Sequence, residues 1–263
     1  MNAHAKINLA LVVGPTRPDG KHEVSTVLQR IELADRIELE PADQLRVDGF
    51  DGDTLVRRAL ERLAGAAGVD PLWAVLIDKA IPVAAGLGGG SSDAAAALRL
   101  ANETLDEPLS PEALHALAAE LGADVPFFLY EGPQLGEGDG SDLTPLDLPQ
   151  PYSVLLIIPD GEPKESTRAV YAAFDERRGA DGYEHRREQL LTALSAGEVA
   201  SFPPNDLGSS PLANELRALG AFRADVSGAG PAVYGLFDDP SQAEAARTRT
   251  EGRGRVWVGG PAW

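Results

Sequence analysis

Cysteine is absent from this chain of 263 residues. Disulfides, thiolate metal centres and cysteine nucleophiles are thereby excluded, and a cytoplasmic location is the simplest expectation. Long hydrophobic runs are also lacking. No stretch approaches the ~20 apolar residues that a membrane span requires, so no membrane association is expected. The opening Met1-Asn-Ala-His-Ala-Lys6 has no basic region followed by an apolar one, and no secretory signal is expected there. Positive charge is scarce: 23 Lys and Arg stand against 41 Asp and Glu, a formal charge of −18. Such a surface repels phosphate backbones, and nucleic acid is not an expected partner. An anionic ligand would have to be held locally, by backbone dipoles, a few lysines and a cation. The few histidines show no metal-ligand spacing, and no G-x-S-x-G elbow occurs, which removes the usual zinc and serine-hydrolase readings.

Apolar residues are plentiful at 43%, enough for a substantial core. The length suits one large or two modest domains. Strand patterns occupy 3–13, 23–33, 35–40, 74–78, 152–158 and 255–258. Helical patterns occupy 53–67, 94–102, 110–121, 167–178, 183–195 and 241–250. Ser110-Pro111 opens one of these as cap and first residue, Gly122 closes it, and Thr167 is the expected cap of another. Residues 136–141 read as a glycine and acid loop, and 226–237 as a glycine turn leading into a strand. Leu148-Pro-Gln-Pro151 marks the expected boundary between domains 1–149 and 150–263. Strands and helices mixed in two clusters predict an α+β, two-domain protein.

The densest signal is Pro82-Val83-Ala84-Ala85-Gly86-Leu87-Gly88-Gly89-Gly90-Ser91-Ser92, set between a strand and an alanine-rich helix. Strand, glycine turn and helix start together present bare backbone N–H groups to an anion, here expected to be a nucleotide phosphate. No lysine lies between Lys79 and Lys164, which excludes a Walker loop. Ser91 stands where the third glycine of a dinucleotide fingerprint belongs. A flexible Gly/Ser linker is the plain alternative, but the run is short and opens a helix. Ser92 and Asp93 suit either a Mg²⁺ ion or capping of that helix.

Three segments, Ala5-Lys-Ile-Asn-Leu9, Pro82 to Asp93 and Val226 to Ala232, resemble the signatures of the galactokinase–homoserine kinase–mevalonate kinase–phosphomevalonate kinase (GHMP) superfamily. The resemblance implies an N-terminal ribosomal protein S5 domain 2-like fold and a C-terminal ferredoxin-like domain. It implies ATP and Mg²⁺, with the phosphates on Pro82 to Ser92. It also implies Asp124 as general base and Lys6 as its electrostatic partner, with Ser227, Gly228 and Gly230 supporting the phosphate loop. Asp19-Gly-Lys-His22, Ala34-Asp35, Leu121-Gly-Ala-Asp-Val-Pro-Phe127, Leu143-Thr-Pro-Leu146 and Asn205-Asp-Leu207 are similar to one branch. That branch phosphorylates a cytidine diphosphate-linked methylerythritol in non-mevalonate isoprenoid synthesis.

Its members usually carry a tyrosine, stacked on cytosine, where this chain has Lys21. His22 remains to bond the base edge. Tyr171, four residues past Thr167, matches a second aromatic and is expected to stack on the base, with the Lys21 stem and ammonium covering the other face. A loosely held base, or an acceptor without cytidine, are the alternatives. Asn8 would orient substrate, support Lys6 or merely bond a neighbouring carbonyl. His4 shares the strand face of Lys6; His115 and His185 read as surface residues. Kinases acting on homoserine or a mevalonate derivative, and a silent binding protein on the same scaffold, are the rival readings. A monomer or homodimer is expected.

Overall fold

The computed structural model describes residues 1–50, 55–161 and 166–262. In chain order the elements are β1 (Asn2–Thr16), β2 (His22–Pro41), β3 (Arg46–Asp48), α1 (Leu55–Ala67), β4 (Trp73–Asp78), α2 (Gly89–Glu103), α3 (Pro111–Leu121), β5 (Gln134–Glu137), β6 (Asp142–Pro145), β7 (Ser153–Pro159), α4 (Thr167–Glu176), α5 (Tyr183–Ala196), α6 (Pro211–Ala218), β8 (Arg223–Val226), β9 (Val233–Phe237), α7 (Pro240–Arg249) and β10 (Gly254–Gly259). They fall into two compact units that interleave along the chain: Met1–Ala5, Leu33–Val83 and Gly88–Glu131 form one, and Lys6–Glu32, Ala84–Leu87 and Gly132–Trp263 the other.

In the first unit α1 packs on α2 and α3. It buries Val56, Ala59, Leu60 and Leu63, the helical spacing of one apolar face. The expected start of this helix at Asp53 lies outside the described residues. Helix α2 buries Ala94 to Leu98 and Ala101. A run of alanines keeps the helix thin, which lets its neighbours approach closely on several sides. The second half of β2 runs antiparallel to β4, from Arg36 opposite Asp78 to Pro41 opposite Trp73. β3 lies parallel on the other edge of β4.

The second unit contains an antiparallel sheet in the order β10-β7-β9-β8. With α6 and α7 packed on it, the order is that of the ferredoxin-like fold expected for the C-terminal half. Val154 to Ile157 of the central strand β7 are all buried, which explains their unbroken apolar run. Leu155, Ile157, Val233 and Phe237 meet Leu216, Ala243 and Ala246 in one core. The same unit holds Thr26 of β2 opposite Gly136 of β5, and the β5–β6 hairpin.

Several expectations change. The two strands 23–33 and 35–40 are one, β2, because Asp35 is satisfied where it stands: its Oδ1 accepts the amides of Ala80 and Ile81 at 2.6 and 2.7 Å. The expected loop 136–141 begins inside β5. Gly136 is there for close approach, since a Cβ would lie 2.8 Å from the Gly140 carbonyl oxygen. Ser166, not Thr167, caps α4 by accepting the Ala169 amide. Helix α2 starts at Gly89 rather than Ala94. Helix α6 was missed, although Ser210-Pro211 repeats the cap-then-proline signal of Ser110-Pro111.

Candidate active site

Lys6 and Asn8 sit two residues apart on β1, hence on one face of it, and both are buried. The Lys6 ammonium donates to Asn8 Oδ1 at 2.7 Å. Asn8 Nδ2 donates to Thr26 Oγ1 at 2.8 Å, and that hydroxyl donates to Ala10 O at 2.8 Å. The relay fixes the orientation of the Asn8 amide, so its oxygen faces the lysine. Of the readings for Asn8, the bond to Lys6 is the one present in the structure.

The glycine loop and the third motif meet beside this pair. Lys6 N donates to Leu87 O at 2.9 Å. Ser227 Oγ donates to Gly86 O at 2.9 Å, and Ala232 N to Ala85 O at 3.0 Å. Gly228 has φ +57°, and a Cβ on it would stand 3.4 Å from Asn8 Oδ1, 3.4 Å from Gly86 O and 3.5 Å from Lys6 Nζ. Lys6, Asn8, Gly86, Ser227 and Gly228 thus form one cluster within the second unit, although the chain separates its ends by more than 200 residues.

In the first unit the loop continues into α2. Gly88 is the cap residue, in the left-handed region at φ 69°, and no side chain caps the helix. The first helical bond closes from Ser92 N to Gly88 O at 2.8 Å. The amides of Gly89, Gly90 and Ser91 therefore have no intrahelical acceptor, which is the arrangement that suits a phosphate. This corrects the expectation that Ser92 and Asp93 cap the helix: both lie in its second turn, and both are buried.

Asp93 belongs instead to a buried charge cluster that the sequence did not disclose. Lys79 Nζ donates to Asp35 Oδ2 at 2.5 Å and to Asp93 Oδ2 at 2.7 Å. Burial pushes the Asp93 carboxyl up to about 7, against the opposing pull of Lys79 and with Asp35 adding to the rise. Lys79 is itself raised: burial opposes its charge, but the bonds to both carboxylates outweigh that. The cluster braces the loop from below, since Asp35 also holds the amides of Ala80 and Ile81.

Asp93 Oδ1 is buried without a hydrogen-bond partner, and the Ser92 side chain lies beside it in sequence. Among the described residues no group of three or more His, Asp or Glu could hold a metal ion. That donor set does not fit a cation held by protein alone. It fits Mg²⁺, which takes one or two protein oxygens and completes its shell with phosphates and water. Asp124, half-buried, lies in the turn after α3, where Val125 N donates to Gly122 O at 3.1 Å. Val125, Pro126, Phe127 and Phe128 behind it are buried and anchor the turn.

The expected acceptor residues lie in the second unit. His22 and Tyr171 are ring neighbours, with centroids 4.8 Å apart and planes inclined by 35°. His22 Nε2 is 2.8 Å from Asp175 Oδ1, and Phe174 meets the ring edge-on at 5.8 Å. The Lys21 ammonium is paired with Asp139. Partial burial works to raise Asp139, but Lys21 and Ser141 hold its carboxyl down at about 2. His115, half-buried on α3, has Tyr130 Oη 2.9 Å from its Nδ1 in an exposed pair. His185 is exposed, beside Gln189, and His4 is half-buried.

The GHMP kinases N terminal domain family matches residues 54–132, and the GHMP kinases C terminal family matches 208–252. A 4-diphosphocytidyl-2-C-methyl-D-erythritol kinase of Nocardia farcinica is 39% identical over 97% of this chain and 90% of its own. One from an Anaeromyxobacter species is 40% identical over 95% of this chain and 86% of its own. A crystal structure of a 4-(cytidine 5'-diphospho)-2C-methyl-D-erythritol kinase superposes with a TM-score of 0.82 at 33% identity, covering 100% of this chain and 99% of that one. With signature residues, topology and near full-length identity in agreement, the chain belongs to the 4-diphosphocytidyl-2-C-methyl-D-erythritol kinase family of GHMP kinases.

Proposed function

We propose that this protein transfers the γ-phosphoryl group of ATP to the 2-hydroxyl of 4-diphosphocytidyl-2-C-methyl-D-erythritol, a step of non-mevalonate isoprenoid biosynthesis. The observation that carries the reading is the buried Lys6–Asn8 pair held against Gly86 and Gly228. A buried ammonium must be hydrogen-bonded to be tolerated, and one bonded to Asn8 and packed against the two glycine motifs suits a site that meets anionic charge. The names of the relatives supply the acceptor.

Phosphoryl transfer needs positioning and charge stabilisation more than covalent help. ATP phosphates lie on the segment Pro82 to Ser92, received by the open amides of Gly89, Gly90 and Ser91. Ser92 would hold a Mg²⁺ ion, whose charge would offset that of the phosphates. Asp124 takes the proton of the attacking hydroxyl as general base, and Lys6, as the electrostatic group, favours the developing alkoxide. The new bond joins the acceptor oxygen to the γ-phosphorus; the bond from that phosphorus to the β–γ bridging oxygen breaks, and ADP leaves. The His22–Tyr171 ring pair receives the cytosine, with Asn8 and Lys21 as further acceptor contacts. The sequence division at 149/150 is retained as the boundary of an ATP-binding segment and a C-terminal segment, and each family match falls inside one of them. No helix among the described residues is long and apolar enough to cross a membrane, which is compatible with a cytoplasmic location.

The test is ADP release with Mg²⁺, ATP and a panel of acceptors: the cytidylylated methylerythritol, homoserine, mevalonate and phosphomevalonate. Turnover with the first alone is expected. Turnover with another acceptor in preference to it would assign a different kinase, and nucleotide binding without turnover on any acceptor would assign a silent module.

A further inference from the structure

The cluster around Lys6 has a support that neither the loop nor β1 supplies. Asn205 is buried, and its amide nitrogen donates to two carbonyls of the third motif, Val226 O at 3.0 Å and Gly228 O at 2.7 Å. Its Oδ1 accepts the Leu207 amide at 2.8 Å, and its own N–H donates to Asp225 Oδ2 at 3.0 Å. Both donors of the side-chain amide are in use, and the backbone donor as well.

The segment that carries Asn205 is itself fixed. Arg223 donates to Phe202 O at 2.7 Å and to Pro203 O at 2.9 Å, and meets Tyr234 Oη at 3.2 Å. Tyr234 Oη donates to Leu9 O at 3.2 Å, on the strand that bears Lys6 and Asn8. The next residues return to that strand: Asp206 N donates to Leu11 O at 2.9 Å, and Asp206 Oδ2 accepts Val13 N at 2.8 Å. Asn205 is thus anchored to β1 on one side and grips both carbonyls flanking Ser227 on the other.

Those carbonyls set the turn that matters. Between them Ser227 directs its hydroxyl to Gly86 O, and Gly228 takes up the left-handed conformation that places it against Lys6 Nζ and Asn8 Oδ1. We propose that Asn205 is a positioning residue for phosphoryl transfer, clamping the Val226 and Gly228 carbonyls so that the third-motif turn holds Lys6 and the glycine loop in register. Asn205 touches no substrate; it acts through Gly228 and Ser227. The inference rests on the reading above that Lys6 serves the transfer.

Asn205→Asp keeps the shape but replaces both donors with acceptors aimed at two carbonyl oxygens. Asn205→Ser keeps a hydroxyl for the Leu207 turn bond and loses the reach to both carbonyls. Each variant is assayed by ADP release with Mg²⁺, ATP and the cytidylylated acceptor, beside Lys6→Ala. A fall of about 100-fold in kcat is expected for both Asn205 variants, with each KM within about threefold of the wild type, the scale that a misplacement near 1 Å produces. Each kcat is referred to the fraction of protein that binds ATP, titrated on every variant. A mere loss of folded protein lowers that fraction and leaves kcat per binding site unchanged. Should Asn205→Asp fail to fold, Asn205→Ser carries the test. Lys6→Ala inactive with Asn205→Ser at wild-type kcat per ATP-binding site overturns the inference alone. Full activity in Lys6→Ala removes the reading beneath it and the inference with it.

Discussion

A methyl group on Gly86 would stand 2.2 Å from the carbonyl oxygen of Ser227 and 3.2 Å from the backbone of Gly230. Gly86 also has φ +82°, so a side chain there is strained whatever the space. Neither neighbour can yield cheaply, because both are backbone and both belong to the turn that faces Lys6. Gly86→Ala is expected to cost at least ~2 kcal/mol and to lower Tm by ~5 °C or more. Thermal unfolding by circular dichroism reads this directly, and a Tm within a degree of the wild type would contradict the close approach.

Gly90 makes the contrasting case. Nothing lies within 4 Å of a Cβ built on it, and its φ is not in the left-handed region. Alanine is the better helix former, and Gly90→Ala is expected to leave stability unchanged or raise it by up to ~1 kcal/mol. Any rise in the KM for ATP then reports crowding of the phosphates rather than a damaged fold. Equal stability with a raised KM is the expected pattern; a Tm loss comparable to that of Gly86→Ala would show that the space is not open.

The Asp35–Lys79–Asp93 cluster should leave a mark on stability against pH. Asp93 is raised to about 7 in the folded protein, chiefly by burial, while an unfolded aspartate titrates near ~3.9. A raised folded value means that the native state binds the proton more tightly. The stabilisation from that proton is complete below about pH 4 and is lost as pH rises through about 7. Asp93→Asn is expected to flatten this decline, measured as the difference in Tm between wild type and variant from pH 5 to 8. Lys79→Met leaves two buried carboxylates without their cation and is expected to cost about 3–5 kcal/mol near neutral pH.

A change at Tyr171 should separate acceptor binding from nucleotide binding. Its ring packs against His22, tilted by 35°, and it lies in the second unit, on α4. Tyr171→Ala is expected to raise the acceptor KM by about tenfold or more, the loss of one stacked ring, while the ATP KM holds. Equal changes in both constants, or none in the acceptor's, would remove Tyr171 from cytosine recognition.

Much of the site was legible because its demands are local. Glycines at 86, 88, 89 and 90 between a strand and an alanine run announce an anion seat without any tertiary knowledge. Lys6 and Asp124 are singled out by resemblance alone, since a strand lysine and a turn aspartate have no local signature. The role of Asn205 was not legible: the carbonyls it holds lie 21 and 23 residues away, and the direction of its amide is fixed by packing. The continuity of β2 through residue 34 was hidden for the same reason. The amides that satisfy Asp35 come from 45 and 46 residues downstream. At α4 the sequence offered two hydroxyls in succession, and the backbone chose Ser166 over Thr167.

The interleaving of the two units has a consequence for biosynthesis. The Asn8 amide meets the Ser227 hydroxyl across 219 residues. Lys6 and Asn8 leave the ribosome early, yet the turn that completes their surroundings follows roughly 10–40 s later at ordinary elongation rates. Through that interval the nascent β1 lacks the Ser227 hydroxyl that its Asn8 backbone N–H will meet and the Gly228 turn that will pack against Lys6. Partial chains stalled before residue 226 would hold residues 82–92 but not the turn that packs against Lys6 and Asn8, so this cluster assembles only on a nearly complete chain.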